Sequence, residues 1–529
     1  MTLRTRIVHV ALLSLLCLST TVRSARADDP DPHFENVQSA LAAWDLDTAK
    51  REATAVAESP QRDVANGVIA VYEGRYAEAE SLLAGALAGG ALPRGGPTDE
   101  ARHYLTLARG STKALADAIT LTSDDGTVVA VFASEKDTLI APYLFDAMTT
   151  ARKALGDDLG VWPSHAVRFE FLDDPLKLAM VTLLSADNIR TTGTVGVTKY
   201  RRIMMVSPRI MLFGYGWLDT AVHEYVHYLV TLRTKNNAPV WLQEGLAKLL
   251  ETRWRREQPE SLSGPMAYRL HKAIVEDELV TLEAMYPSVA MLPSQELAAL
   301  AYAEVQTMLE LLRERRGAPG LALLLDRVAA GDDAKDALAT AWGDDFAAFM
   351  HEWKRVTRKR TARGEDGPLA KREFKEDDGP PPEALGDIFS HLGGGKARQH
   401  ARLGTLLQQR DHDAAASMQY EKARAADARA RKDPLLSRRL GHLYSTLGAF
   451  DRAAPLLDIA AAAEPDDANL AAAQGRAKLR TGDHDGAREA LGRALRVNPF
   501  IPSLHCDLAQ LAPDEASRLR ETAHCKPGH

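Results

Sequence analysis

Two histidines four residues apart with a glutamate beside the first, His223-Glu224-Tyr225-Val226-His227, are the residues of this chain best spaced for chemistry. Four residues on a helix turn through about 400°, so both imidazoles leave one face, about one turn apart. Such a pair of nitrogens can hold a single Zn²⁺, with Glu224 beside the water that the ion would activate. The pentapeptide by itself is a weak signal, because composition alone produces it in roughly a few per cent of chains this long. Its setting strengthens it. Leu218, Ala221, Val222, Val226, Leu229 and Val230 give the helix a buried surface. A glutamate and two histidines on an internal helix are costly without a metal or partners.

A two-histidine site needs a third ligand, and Glu244 stands seventeen residues after His227 in Pro239-Val240-Trp241-Leu242-Gln243-Glu244-Gly245-Leu246-Ala247. Gly245 and Ala247 would let a second helix pack closely on the first. Here the chain resembles the gluzincin zinc metallopeptidases, in which His-Glu-x-x-His is followed on a second helix by a glutamate ligand. The phrase Trp-Leu-x-Glu-Gly-x-Ala is similar to the peptidase-MA-like branch. The resemblance implies that His223, His227 and Glu244 hold one Zn²⁺ per chain and that Glu224 is the general base. It implies an oxyanion donor in Tyr302, which is expected to open an amphipathic helix ending at Arg315-Arg316-Gly317; Tyr225, Tyr228 and His271 are weaker candidates. The likeness runs over roughly residues 125–358. Two departures limit it. No Gly-x-Met-Glu-Asn precedes the helix, so aminopeptidase specificity is unsupported, and Lys248 stands where a thermolysin-type aspartate would orient a histidine. Glu251, Asp219 or a backbone carbonyl is left for that task.

The elements that must position these residues divide the chain. Residues 127–133, 166–172 and 202–206 are short β-rich runs, 138–155 is helical, and from 218 the pattern is helical almost to 360. Residues 202–207 would suit an edge strand beside the active helix, to which an extended substrate could add. On either side lie repeats. Gly441, Gly448, Ala453, Leu457, Ala460 and Pro465 are matched 34 positions on by Gly475, Gly482, Ala487, Leu491, Ala494 and Pro499. This looks like the tetratricopeptide repeat, in which small residues let paired antiparallel helices approach. An earlier unit carries Gly404, Ala416, Tyr420 and Ala423. A similar pattern (Gly67, Gly74, Ala79, Leu83, Ala86) lies between helical segments 34–59 and 99–121.

The expected architecture is therefore multidomain and mainly α. An α+β gluzincin-type peptidase domain (125–360) stands between tetratricopeptide-like arrays (28–122 and 385–529), with a charged, proline-containing linker at 361–384.

Residues 1–27 have the parts of a secretory signal: Arg4 and Arg6, an apolar run over 7–18, and Ala25-Arg26-Ala27 before Asp28. The run of about 12 residues falls short of the roughly 20 that span a bilayer. An exported product, periplasmic or secreted, follows, and no later segment is apolar enough to cross a membrane. Outside the cytoplasm Cys506 and Cys525 are free to pair and staple the last hairpin. The neighbouring His505 and His524 match no strong zinc spacing. With 529 residues, 45% hydrophobic and 26% charged, and a net charge of -7 with its basic residues dispersed, the chain is not built for nucleic acid. Its expected partners are a polypeptide substrate and proteins bound by the arrays. Two functions fit: a zinc-dependent peptidase acting on extracytoplasmic polypeptides, or a catalytically silent scaffold whose arrays bind cell-envelope proteins.

Overall fold

The computed structural model describes residues 31–89, 92, 95–367, 388–392 and 395–526. The expected signal segment and most of the expected linker lie outside them. The described chain is mainly helical, with one small mixed sheet. Among the described residues no helix is long and apolar enough to cross a membrane.

The sheet has five strands: β1 (Ile119–Thr122), β2 (Val128–Phe132), β3 (Val167–Leu172), β4 (Gly196–Lys199) and β5 (Arg202–Val206), in spatial order β1-β2-β3-β5-β4. β2, β3 and β5 run parallel, while β1 and β4 pair antiparallel at the two edges. The central strands are nearly continuous apolar runs because both their faces are covered. Two expectations are corrected here. The run 202–206 is an interior strand, wholly buried, and the edge beside the active helix is β4. Likewise the helix expected over 99–121 ends at Ala114, and the alternating Ile-Thr-Leu-Thr that follows forms β1.

β4 and β5 are joined by a two-residue turn, Tyr200-Arg201, with both residues at positive φ (55° and 56°). A right-twisted hairpin wants this mirror-image turn, usually from Asn and Gly. Here a tyrosine and an arginine adopt it, each against a steric cost on the order of 1 kcal/mol.

Under the sheet lies the first site helix, Trp217–Thr234, followed by the second, Val240–Leu250, and by a long helix, Gln295–Ala329. The long helix breaks where expected, at Gly317, which has φ 65° and ψ −165°. Gly245 does serve close packing, but toward the long helix. A Cβ on it would meet Leu309 Cδ1 at 2.8 Å and the Val305 carbonyl oxygen at 2.9 Å.

Antiparallel helix pairs flank this unit. On the N-terminal side they are Pro32–Ala42 with Leu46–Ala55 and Pro60–Tyr72 with Tyr76–Ala88, followed by Gly96–Ala114. On the C-terminal side the pairs begin at Lys396, Pro434, Ala468 and Pro502. The aligned glycines sit at equivalent contacts. A Cβ would meet Leu83 at 2.6 Å from Gly67, Leu457 at 2.9 Å from Gly441 and Leu491 at 2.6 Å from Gly475. Cys506 and Cys525 are bonded across the last pair.

Both flanks are fastened to the central unit. Arg202, 1% exposed, meets Glu170 of β3 at 3.2 Å and the Val181 carbonyl at 2.9 Å, and it donates to the Tyr76 hydroxyl. Tyr76 opens an N-terminal helix and also donates to Glu170. Burial opposes ionisation of Glu170, yet Arg202 and Arg168 hold its carboxyl below the usual range. At the other flank the Tyr215 amide donates to the Val497 carbonyl (3.0 Å) and the Trp217 indole to the Leu495 carbonyl (3.0 Å). Tyr143 donates to Glu521 (2.7 Å). His505 is engaged there too, with Nδ1 2.7 Å from Glu521 and Nε2 2.7 Å from the Pro499 carbonyl.

Candidate metal centre

His223 and His227 project from the first site helix one turn apart, and Glu244 reaches them from the second. The two Nε2 atoms are 3.1 Å apart, and each lies 3.3 Å from Glu244 Oε2. Donors held at about 2.0–2.1 Å from one tetrahedral zinc lie about 3.3–3.4 Å from each other, so this triangle has the required size. Among the described residues it is the group of His, Cys, Asp and Glu placed to share an ion.

The outward atoms of the rings fix how the inward ones face. His223 Nδ1 is 3.0 Å from Glu251 Oε2, and His227 Nδ1 is 3.3 Å from Gln243 Oε1. The Gln243 amide is oriented in turn, since its nitrogen donates to Thr231 Oγ1 at 3.1 Å. With Nδ1–H donated to these acceptors, both Nε2 lone pairs turn inward toward a carboxylate oxygen. Glu244 Oε2 is buried without a hydrogen-bond partner. With both rings neutral, three lone pairs converge there with no donor among them, an arrangement that a cation satisfies and that a proton on His223 also relieves.

The electrostatics agree. Burial would depress the His223 imidazole, but Glu244 and Glu251 hold it up at about 9. Burial disfavours both carboxylates, yet His227 and His223 keep Glu244 far below its ordinary value, and Lys248 and His223 hold Glu251 at about 2. The pocket calls for positive charge.

Of the candidates for orienting a ligand, Glu251 does so, braced by Lys248 Nζ at 2.6 Å. Asp219 instead accepts from Trp254 (2.8 Å) and Arg255 (2.9 and 2.7 Å). Gln243 was not legible from spacing, because its role depends on how two helices cross. Glu251→Gln should weaken zinc binding by about 10- to 100-fold, measured by competition with a chromophoric chelator. Unchanged affinity would dismiss its orienting role.

Glu224 lies on the same helix, buried, under β4. Thr198 Oγ1 of that strand is 2.7 Å from Glu224 Oε2 and 2.8 Å from the Glu224 carbonyl oxygen. Gly196 permits the close approach, since a Cβ there would stand 2.8 Å from Glu224 Oε1. Neither Gly196 nor Thr198 was expected at the site.

Tyr302, half-buried on the long helix, stands beside the centre with its ring centroid 6.4 Å from that of His223, edge to face. The weaker candidates face elsewhere. Tyr228 packs edge-on against Trp44 at 5.3 Å and Tyr225 stacks on Tyr228, while His271 Nδ1 is 3.1 Å from the Arg358 carbonyl.

Two residues beyond Tyr302, Glu304 is buried and accepts the Val280 amide (3.0 Å); burial pushes its carboxyl up to about 8. It is therefore protonated in the folded protein and gives up its proton on unfolding between pH 4.5 and 8. Stability should fall as pH rises across that window, by roughly 3 kcal/mol at pH 7. Glu304→Gln should remove this slope, raising the urea midpoint at pH 7 and leaving it unchanged at pH 4. Parallel slopes in the two proteins would contradict it.

No curated protein matches the chain. Residues 149–359, less than half of the chain, match the family model of the Peptidase MA superfamily, and His223, Glu224, His227, Glu244 and Tyr302 all lie inside that stretch. Over that stretch, which holds the His223, His227 and Glu244 triangle, the chain is similar to the Peptidase MA superfamily.

Proposed function

We propose that this protein is a zinc-dependent peptidase of the gluzincin type that hydrolyses peptide bonds in polypeptides outside the cytoplasm. The observation that carries the reading is the triangle of His223 Nε2, His227 Nε2 and Glu244 Oε2, with edges of 3.1 to 3.3 Å, the size that three ligands of one zinc require. A zinc ion held there would supply Lewis acidity, acidifying water and polarising a carbonyl.

The chain's own residues do the rest. An extended substrate adds to the free edge of β4 by backbone hydrogen bonds, which lays it across Glu224. Glu224 takes the proton of the attacking water and delivers it to the leaving nitrogen. The Tyr302 hydroxyl donates to the oxygen on which negative charge develops. Tyr302→Phe should therefore lower kcat by about 10²-fold with little change in KM. Equal losses through KM alone would assign Tyr302 to binding.

The 34-residue offsets and the repeated glycine–leucine contacts support tetratricopeptide-type arrays that bind protein partners. Residues 1–27 support export.

The test is the zinc content of the purified protein together with hydrolysis of a mixed peptide library, with and without a chelator. We expect one zinc per chain and chelator-sensitive cleavage. Stoichiometric zinc without any cleavage would replace the enzyme by a scaffold on a peptidase fold.

A further inference from the structure

Beside the metal centre, where β4 ends, a cavity of about 390 Å³ opens between the central unit and the N-terminal helices. Its walls include Trp44, Tyr72 and Tyr104 from the N-terminal helices, Lys199 and Tyr200 from the β4 end, and Thr231 from the first site helix. Its three tyrosines form a mutual cluster, with centroids 6.3 Å apart for Tyr72 and Tyr104, 5.9 Å for Tyr72 and Tyr200, and 5.8 Å for Tyr104 and Tyr200.

The cavity is tied to the centre by two of its lining residues. Thr198 bonds Glu224, and Thr231 accepts from the Gln243 amide that orients His227. A chain laid along β4 past Glu224 therefore runs toward this opening.

We propose that the cavity is a specificity pocket that receives one neutral aromatic side chain of the polypeptide substrate. The proposal rests on the reading of β4 as the substrate-binding edge. Size allows it, since an apolar cavity of about 150 Å³ already accepts a benzene ring. The lining favours it, because ring edges and faces complement another ring in edge-to-face contact. Charge argues against a cationic side chain: Lys199, in the wall, already stands with Nζ 4.8 Å from the Tyr200 centroid, and a second cation would meet it. A carboxylate would lose its hydration among rings.

The backbone adds a second argument. Asn or Gly would make the β4–β5 turn at less cost than Tyr200, yet the tyrosine stands there at φ 55°. Its hydroxyl is 3.1 Å from His103 Nε2, and its ring closes the aromatic cluster. The strain is spent on putting a ring in the cavity wall.

The test uses the full-length Glu224→Gln protein loaded with zinc, so that peptides bind without being cut. A ten-residue Ala/Ser host peptide carries one Phe, Lys or Glu walked through its positions, and binding is followed by titration calorimetry. We expect one position at which Phe binds at least tenfold more tightly than Lys or Glu. Tyr104→Ala, which removes a wall, should cut that preference below threefold. Ala42→Trp, which fills the cavity from an exposed lining position without removing core, should do the same. No position with a Phe preference, or a preference that survives both substitutions, would overturn the pocket. The two readings fail separately. A Phe preference in a protein whose wild type cleaves nothing would uphold the pocket and remove the peptidase; zinc-dependent cleavage with no aromatic preference would do the reverse.

Discussion

Glu224→Gln is expected to lower kcat/KM for peptide hydrolysis by about 10³-fold while one zinc per chain stays bound. The two halves of this expectation have different origins. Glu224 is not one of the three clustered donors, so its replacement leaves the triangle of His223, His227 and Glu244 intact. Its carboxylate meets the Thr198 hydroxyl at 2.7 Å, and a glutamine oxygen can accept the same bond. The amide therefore occupies the carboxylate's place with nearly the same shape and loses only its basicity. A group that must take a proton in one step and return it in the next cannot be replaced by a neutral amide. The measurement is steady-state cleavage of a fluorogenic peptide found in the library screen, paired with metal analysis of both proteins. Activity within tenfold of wild type would remove Glu224 from the mechanism. Loss of zinc along with activity would mean that the substitution disturbed the site, and Glu224→Asp would then separate reach from basicity.

The second large effect is on stability. Arg202→Met should destabilise the protein by about 3–5 kcal/mol, because it removes the more deeply buried of the two guanidinium partners of a fully buried carboxylate. Glu170 is 0% exposed and would keep only Arg168, at 2.7 Å, and the Tyr76 hydroxyl as partners. The double variant Glu170→Met/Arg202→Met should recover part of the loss, since apolar groups of similar volume can replace a buried pair, while Arg168, 23% exposed, is left to turn to solvent. Urea unfolding followed by near-ultraviolet circular dichroism measures both. A single variant within 1 kcal/mol of wild type, or a double variant as unstable as the single, would show that the pair is not the fastening between the sheet and the helix that begins at Tyr76.

Much of the centre was legible because helix geometry converts spacing into direction. His223 and His227 had to share a face, and the apolar positions around them had to bury that face. Glu244 was legible through its motif. What escaped notice were contacts set by tertiary placement. Gln243 orients His227 only because of the way the second helix crosses the first. β4 escaped because its turn is made by Tyr200-Arg201, which carries none of the Asn or Gly punctuation that marks a hairpin. Its mistaken substitute held the corrective signal. The apolar core of β5, Ile203 to Val206, suits an interior strand, whereas Gly-Val-Thr-Lys has the mixed polarity of an edge. The helix misjudged over 115–121 shows the same thing: Ile-Thr-Leu-Thr alternates with period two, and pairing with β2 decided its conformation.

The bonds from Tyr215 and Trp217 to Val497 and Leu495 bear on the order in which the molecule can be completed. The helix that presents both histidines begins at Trp217, whose indole finds its acceptor 278 residues further on. A ribosome delivers these segments far apart in time, so the root of that helix stays unsealed while more than half of the polypeptide is still to be made. Severed after residue 367, the central unit would keep His223, Glu224, His227 and Glu244 and lose the clasp at the root of the histidine-bearing helix.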